Sequence, residues 1–253
     1  MRRAIIISSC SMSKTASAPI SFQKRTRSIW KPKINMADPI TAFIESLLPE
    51  EAPEERLLRK YAEDRGIPIL RRDAAAFLRV LAAACRPARI LEIGTAIGYS
   101  AAMLGNQLPC TQIDTVESDL DRVVEARENL TRLKLEDRIR VIAGDGADVL
   151  ASLCVPYDMI FFDAAKGQYI RLYEDALRLL NPGGLLVCDN CIFYGKVTEA
   201  PEEAAHKHRT IIANLRAFLN KMMTDPRLQA SLVNVGDGMA VACKIKGDCL
   251  NHD

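Results

Sequence analysis

The chain has 253 residues, of which 49% are hydrophobic and 26% charged, and these values fit one large α/β domain better than two small ones. No apolar run approaches the roughly 20 residues that a membrane-spanning helix needs, so we expect no membrane partner. The net charge of +2 is uneven, because residues 1–35 contain eight basic residues and no acidic one, which leaves about −6 on the rest. Such an acidic body excludes a general affinity for nucleic acids, and any contact with RNA requires a local basic patch.

Residues 1–35 are rich in Ser and have no periodic apolar pattern. We interpret them as a disordered basic extension, followed by a single domain over residues 36–253. Two alternatives stay open: the protein naturally starts at Met36, or the extension is a transit peptide, since such peptides are rich in Arg and Ser and poor in acids. The eight cysteines lie mostly in apolar runs, which indicates a reducing compartment. We therefore predict a cytoplasmic protein, with organelle targeting by the extension as the alternative.

The first part of the body is predicted to be helical. Residues 40–62 have apolar faces at helical spacing, punctuated by Pro49 and Pro53. A further helix is expected over residues 73–84, with Asp73 as its N-cap and Pro87 beyond its end.

From Arg89 onward, short apolar runs alternate with helical segments. The runs predict five strands, at residues 89–93, 112–117, 139–143, 157–163 and 185–189. A long helix is expected over residues 204–223, and a final hairpin over 230–235 and 239–244 around Gly236-Asp-Gly238. This order predicts a doubly wound, Rossmann-like α/β sheet that is mostly parallel, with an antiparallel C-terminal hairpin and additional N-terminal helices.

The first predicted strand leads into a loop that is suited to a ligand. It contains Glu92, breaks at Gly94 and continues through Gly98 into a helix at Ser100. Glycines let backbone approach a ligand closely, and ligands bind at the carboxyl edge of such sheets. The G-x-x-x-G spacing differs from the G-x-G-x-x-G that cradles a pyrophosphate. A tight turn without a ligand is the alternative.

Two more acids end the next strands. Glu117 suits the two hydroxyls of a ribose, and Asp145 suits an adenine amino group. The alternatives are a helix-flanking charge for Glu117 and a helix N-cap for Asp145. Three acids at three strand ends favour a ligand with a cationic end, a ribose and a base. S-adenosylmethionine fits this better than a dinucleotide with its negative pyrophosphate.

Asp163, Asp189 and Asn190 follow two further strands. Neighbouring carboxylates repel unless a cation lies between them or one is protonated, and Mg²⁺ or Mn²⁺ suits such oxygen ligands. A strand-end cap is the alternative for each residue alone. A bound cation disfavours the charged ammonium of Lys166, so that its neutral form can act as a general base, whereas a salt bridge to Asp163 is the alternative.

Four motifs in this chain occur together in one known family. They are Leu-Glu-Ile-Gly-Thr-x-x-Gly-Tyr-Ser, Phe-Asp-Ala-x-Lys, Asp-Asn-x-x-x-x-Gly and the late Gly-Asp-Gly. Through them the chain resembles the cation-dependent class I O-methyltransferases, the group of catechol and caffeoyl-CoA O-methyltransferases. Within this group it is similar to the bacterial tRNA 5-hydroxyuridine methyltransferases, through Asp-Ala-Ala-Lys-Gly-Gln-Tyr, Lys-x-Arg-Thr and Val-Gly-Asp-Gly-Met-Ala-Val.

The resemblance implies roles for particular residues. It implies that a divalent cation binds to Asp163, Asp189 and Asn190, and that Lys166 is the catalytic base. The residues that it implies for the S-adenosylmethionine site are Leu70 as a cover, Glu92, Gly94, Ser100, Glu117 and Asp145. It also implies a homodimer. The basic extension and Cys191 depart from the pattern of the tRNA group.

The reaction expected from this resemblance is methyl transfer to the hydroxyl oxygen of 5-hydroxyuridine in tRNA, at the wobble position, giving 5-methoxyuridine. Arg71, Arg72, Lys196, Lys207 and Arg209 are the candidate basic residues for docking RNA. The first alternative is O-methylation of a small catechol-like phenol, since either acceptor offers two adjacent oxygens to a cation. The second is a non-catalytic module that binds S-adenosylmethionine. A nucleotide-dependent dehydrogenase is disfavoured by the missing third glycine.

Overall fold

The computed structural model describes residues 39–199 and 205–245. The basic extension predicted over residues 1–35 lies outside these ranges. The strands, in chain order, are β1 (Arg89–Ile93), β2 (Gln112–Glu117), β3 (Ile139–Ala143), β4 (Tyr157–Phe162), β5 (Leu180–Cys188), β6 (Leu228–Val233) and β7 (Met239–Lys244). They form one seven-stranded sheet in the order β3-β2-β1-β4-β5-β7-β6.

Eight α-helices accompany the sheet in the described part of the chain. They are α1 (Pro39–Leu47), α2 (Pro53–Arg65), α3 (Arg72–Cys85), α4 (Tyr99–Gln107), α5 (Leu120–Arg132), α6 (Gly146–Ser152), α7 (Tyr169–Leu179) and α8 (His206–Thr224). Within residues 39–199 and 205–245, none of these helices combines the length and the apolar character that a membrane crossing requires.

The sheet is buried on both faces, as its continuous apolar strands predict. Neighbouring residues of β1 point to opposite sides, so the fully buried Ile90 and Leu91 belong to two different clusters. The cluster of Ile90 includes residues of α2 to α5, and the cluster of Leu91 includes residues of α6 to α8. Strands β1 to β5 pair in parallel, whereas β7 pairs antiparallel with β5 and β6. The predicted three-layer, mostly parallel sheet with an antiparallel hairpin is confirmed.

At the helix termini, Asp119 and Asp145 act as N-caps, whereas the predicted cap of α3 is wrong. The side chain of Asp119 accepts hydrogen bonds from two backbone N–H groups of α5, and Asp145 accepts one from Ala147 in α6. Asp73 was expected to cap α3, but it lies inside the first turn. Arg71 takes the cap position, and Asp73 Oδ2 instead accepts from the backbone N–H of Gly236, 3.0 Å away. A contact between segments distant in sequence therefore outweighs the local cap.

The fifth strand was predicted over residues 185–189, but β5 begins at Leu180 and includes the segment 181–184, whose Pro and Gly residues favour a turn. The β4–β5 register shifts between Tyr157 and Met159, so the segment forms an irregularity opposite Asp158. Asp158 Oδ1 accepts from the amide nitrogen of Asn181 at 2.8 Å, which stabilises it.

Candidate active site

Two predicted metal ligands lie side by side at the carboxyl edge of the sheet. The backbone N–H of Asp163 donates to the carbonyl of Ile93, and that of Asp189 donates to the carbonyl of Phe162, each at 2.9 Å. Both residues therefore extend the parallel ladder by one position beyond their strands. Adjacent parallel strands end at the same edge, so the fold brings the Asp163 and Asp189 side chains together.

Asn190 links the two carboxylates. Its amide nitrogen lies 2.7 Å from Asp189 Oδ2 and 3.5 Å from Asp163 Oδ1. The backbone of Asn190 has a φ of +58°, in the left-handed region that few residues other than glycine adopt. This conformation turns the chain sharply after β5 and keeps the amide against both acids.

The surroundings of Asp163 and Asp189 disfavour a negative charge on both carboxylates at the same time. Burial and the neighbouring charge of Asp189 raise the pKa of Asp163 well above its usual range. Burial also raises the pKa of Asp189 to about 6, although the backbone N–H of Asn190 and the charge of Lys166 lower it. A proton or a cation would relieve the repulsion.

One observation indicates that the side chains of Asp163, Asp189 and Asn190 suit a divalent cation. Asp189 is only 4% exposed, and its Oδ1 has no hydrogen-bond partner among the described residues, which is costly for a carboxylate unless another group binds there. A half-turn of the Asn190 amide exchanges its nitrogen and oxygen, so the three side chains can offer oxygen atoms to one cation. Among residues 39–199 and 205–245, no three His, Cys, Asp or Glu side chains form such a cluster. The candidate centre therefore consists of two carboxylates and an amide.

Lys166 follows the end of β4 in a short 3₁₀ turn, Lys166–Gln168. Its Nζ lies 5.9 Å from the centre of the Phe193 ring. Its positive charge lowers the pKa of Asp163 and of Asp189, so it acts on both carboxylates through the electrostatic field. The structure thus brings the predicted base to the candidate metal centre.

Glu92 supports the predicted cofactor loop from the interior of the protein. This side chain is fully buried, and its carboxylate accepts hydrogen bonds from the hydroxyls of Ser100 and, at 2.5 Å, of Thr115. Burial raises the pKa of Glu92 to about 7. Glu92 and Ser100 are therefore bonded to each other beneath the loop, and their side chains shape the loop from inside.

Glu117 and Asp145 stand at neighbouring strand ends, as predicted. Glu117 Oε2 accepts from the backbone N–H of Ala96, and Oε1 from that of Asp119, both at 2.9 Å. Asp145 Oδ1 accepts from the N–H of Ala147 at 2.9 Å, so the N-cap expected as its alternative role is present. Both side chains are partly exposed at the edge that carries the candidate metal centre.

Leu70 is 2% exposed, and its backbone carbonyl accepts from Arg59 Nη1 at 3.1 Å. Arg59 also forms a two-pronged bond from Nε to Glu51, at 2.8 and 2.9 Å, and contacts the hydroxyl of Tyr99 at the start of α4. The sequence analysis missed this network. It ties helix α2 to the connector that contains Leu70 and to the cofactor loop.

Two further residues at the site were also missed. The hydroxyl of Tyr169 lies 3.2 Å from the carbonyl oxygen of Phe162 and 3.1 Å from that of Asp189, and so spans the ends of β4 and β5. Asp237, in the turn between β6 and β7, accepts at 2.6 Å from the backbone N–H of Tyr194. Both lie inside sequence motifs that could have indicated them: Tyr169 ends Asp-Ala-Ala-Lys-Gly-Gln-Tyr, and Asp237 is the middle residue of Gly-Asp-Gly.

Known proteins that are similar to this chain in sequence or in fold are methyltransferases. A family model described as O-methyltransferase matches residues 55–245. The chain is similar to a catechol O-methyltransferase of Niastella koreensis, at 37% identity over 66% of this chain and 77% of the relative. It is also similar to one of Mycobacterium tuberculosis, at 30% identity over 80% and 94%. A SAH-bound methyltransferase structure from Podospora anserina matches with a TM-score of 0.75, at 25% identity over 87% of this chain and 100% of that one.

Proposed function

The chain belongs to the O-methyltransferase family and is an S-adenosylmethionine-dependent enzyme; from this premise we propose that its acceptor is a small catechol-like phenol. The observation that carries the proposal is the pairing of Asp163 and Asp189 with the amide of Asn190 at one point of the sheet edge. The relatives named catechol O-methyltransferase support it, since they match most of the described chain.

The surroundings of this point suit a flat aromatic acceptor. The Phe193 ring lies beside the candidate centre, with Lys166 Nζ at 5.9 Å and Lys196 Nζ at 5.5 Å from its centre. The His208 ring meets it edge-on at 5.4 Å. These contacts fix the ring, and a fixed aromatic surface favours an aromatic ligand by offset or edge-to-face packing.

We propose that Asp163, Asp189 and Asn190 hold a divalent cation, which when bound supplies Lewis acidity to a coordinated hydroxyl. An acceptor with two adjacent oxygens could bind such a cation through both, and a lone phenol would lack the second contact. Lys166 Nζ is the proposed acceptor of the hydroxyl proton, because it lies 5.9 Å from the centre of the Phe193 ring and its charge acts on the same carboxylates.

For the methyl donor, S-adenosylmethionine, we propose the loop after β1 together with Glu117 and Asp145. The Glu117 carboxylate already binds two N–H groups and has lone pairs left for ribose hydroxyls. In this proposal Gly94 and Ser100 belong to the loop, Glu92 supports it through its bond to Ser100, and Leu70, whose carbonyl is held by Arg59 of α2, covers the cofactor.

The test is transfer of labelled methyl groups to a catechol and to a matching monophenol, with Mg²⁺ or with a chelator. We expect labelled catechol only with Mg²⁺, and loss of the label in Asp163→Ala. The matched control is Asp64→Ala, which removes an acid from an exposed pair with Lys60. Equal labelling of the monophenol would contradict the proposed two-oxygen recognition.

Basic residues around the candidate active site favour a second acceptor, 5-hydroxyuridine in tRNA. Lys196 lies against Phe193, and Arg71 reaches the carbonyl oxygen of Gly236 at 3.4 Å. Lys207 and Arg209 lie in the first turn of α8. Undermodified tRNA offered beside catechol tests this second acceptor, and the double variant Lys207→Ala with Arg209→Ala should weaken the labelling of tRNA but not that of catechol.

The homodimer and the cytoplasmic location stay predictions, to be checked by sedimentation and by localisation of the tagged chain.

A further inference from the structure

The turn between β6 and β7 packs against the loop that carries Asn190. The backbone N–H of Cys191 donates to the carbonyl of Gly238, and that of Ile192 donates to the carbonyl of Asp237, both at 2.8 Å. The side chain of Asp237 adds a third bond, from the N–H of Tyr194 to its Oδ1 at 2.6 Å. Three hydrogen bonds, from residues 191, 192 and 194, thus clamp the loop 190–195 to the turn.

The clamped loop needs external support. Asn190, Phe193 and Tyr194 have φ angles of +58°, +52° and +54°, a left-handed conformation that is strained for residues other than glycine. A free loop would relax toward ordinary conformations and would change the direction of the Asn190 side chain. The bonds from the turn offset this strain, and the Asp237 bond is the one that a side chain makes.

The Asp237 side chain reaches the loop through its Oδ1, which accepts the hydrogen bond from Tyr194. Its Oδ2 is buried without a hydrogen-bond partner among the described residues, so the bond to Tyr194 is what anchors it. The turn itself approaches the candidate centre, because a Cβ atom on Gly236 would lie 3.7 Å from Asp189 Oδ1. Asp237 thus belongs to a turn that approaches the candidate centre, and its side chain is bonded to the loop that carries Asn190.

We propose that Asp237 is a positioning residue for the metal centre: through Tyr194 it fixes the left-handed loop 190–195 and thereby the direction of the Asn190 amide. The inference rests on the proposed function, because it concerns how well the site holds a divalent cation. Groups that orient metal ligands in this way typically change metal affinity by about 10- to 100-fold when they are removed.

The experiment compares Asp237→Ala with Asp237→Asn, because asparagine keeps an oxygen that can accept from Tyr194. Binding of Mn²⁺ is measured by electron paramagnetic resonance without methyl donor or acceptor. We expect Asp237→Ala to weaken binding about tenfold or more, and Asp237→Asn to stay within about threefold of the wild type. The matched control is Asp158→Ala, since Asp158 holds the N–H groups of Ala88 and Arg89 at the opposite end of β4.

The outcomes separate the two proposals. Wild-type protein that binds no Mn²⁺ would overturn the metal centre and this inference with it. Wild-type binding that is unchanged in Asp237→Ala, or equally weak in both Asp237 variants, would overturn the inference alone. If Asp237→Ala does not fold, hydrogen exchange of the Tyr194 amide decides: we expect protection in the wild type and in Asp237→Asn, and an unprotected amide in the wild type would overturn the inference.

Discussion

A Cβ atom on Gly94 would lie 2.2 Å from the carbonyl oxygen of Asp163, and the φ of Gly94 is +108°. The loop after β1 therefore rests directly on the backbone that presents a candidate metal ligand. We expect Gly94→Ala to destabilise the protein by about 3 kcal/mol or more, since it adds a backbone clash to a strained φ. Urea unfolding followed by circular dichroism measures this change in the free energy of unfolding.

Gly195 provides the matched control. It also has a positive φ, +80°, but a Cβ atom there would meet nothing within 4 Å. Gly195→Ala should cost only about 1 kcal/mol, from backbone strain alone. Equal losses in the two variants would refute the steric explanation.

Tyr169→Phe should weaken the site more than the fold. The variant removes the hydroxyl that spans the carbonyls of Phe162 and Asp189, and the expected loss of stability is about 1 kcal/mol. Because Asp189 itself bears one of these carbonyls, we also expect weaker Mn²⁺ binding. Tyr173→Phe is the control, since it removes a hydroxyl bonded to Asp225 Oδ2 at 2.8 Å. A similar drop in Mn²⁺ affinity in both variants would count against a specific role for Tyr169.

Arg59→Ala should destabilise the protein by about 3 kcal/mol, because it leaves the largely buried Glu51 without its ion-pair partner. The side chains of this pair are only 10% and 14% exposed. We also expect weaker binding of S-adenosylmethionine by calorimetry, since Arg59 contacts Tyr99 and the carbonyl of Leu70.

Arg56→Ala is the control for Arg59, as it removes a cation of the same helix. Arg56 pairs with Glu50 at 3.3 Å, with side chains 60% and 90% exposed, so the change should stay within about 0.5 kcal/mol. If Arg59→Ala were equally mild, the buried network would not hold α2 to the cofactor loop.

Glu92 should make the protein less stable as the pH rises. Burial raises its pKa from 4.5 to about 7 in the folded state, so the folded protein binds the proton more tightly than the unfolded chain does. The contribution of Glu92 is therefore most favourable below pH 4.5, declines between about 4.5 and 7, and is constant above that. Glu92→Gln should abolish this decline, which is at most about 3 kcal/mol. Parallel unfolding curves of both proteins at pH 5 and pH 8 check it, and identical pH slopes would contradict it.

The strands were predictable because apolar runs and acidic ends mark them. The predicted bounds are confirmed for β1, β2, β3 and β7. Residues such as Gly94 after β1 and Glu117 at the end of β2 interrupt the apolar pattern abruptly. The start of β5 was not predictable, because Pro182 and two glycines favour a turn when only local preferences are considered. There the sheet accommodates the segment as an irregularity opposite Asp158.

The site was predictable where it depends on position along strands. Asp163 and Asp189 meet because parallel strands end together, and this follows from the chain order alone. The contacts of Asp73 with Gly236 and of Asp237 with Tyr194 join segments 163 and 43 residues apart. No local pattern encodes such pairings, so the supporting residues emerge only from the fold.

Although β7 is the last of the seven strands in the chain, it lies between β5 and β6 in the sheet. During synthesis, β6 and the turn at residues 236–238 can join the sheet only after the ribosome has passed Lys244. Until then, a nascent chain that folds from its N-terminus can assemble β1 to β5 but leaves the loop after β5 without its clamp. Translation products that stop before β7 should therefore be inactive and exposed to proteases at residues 190–195.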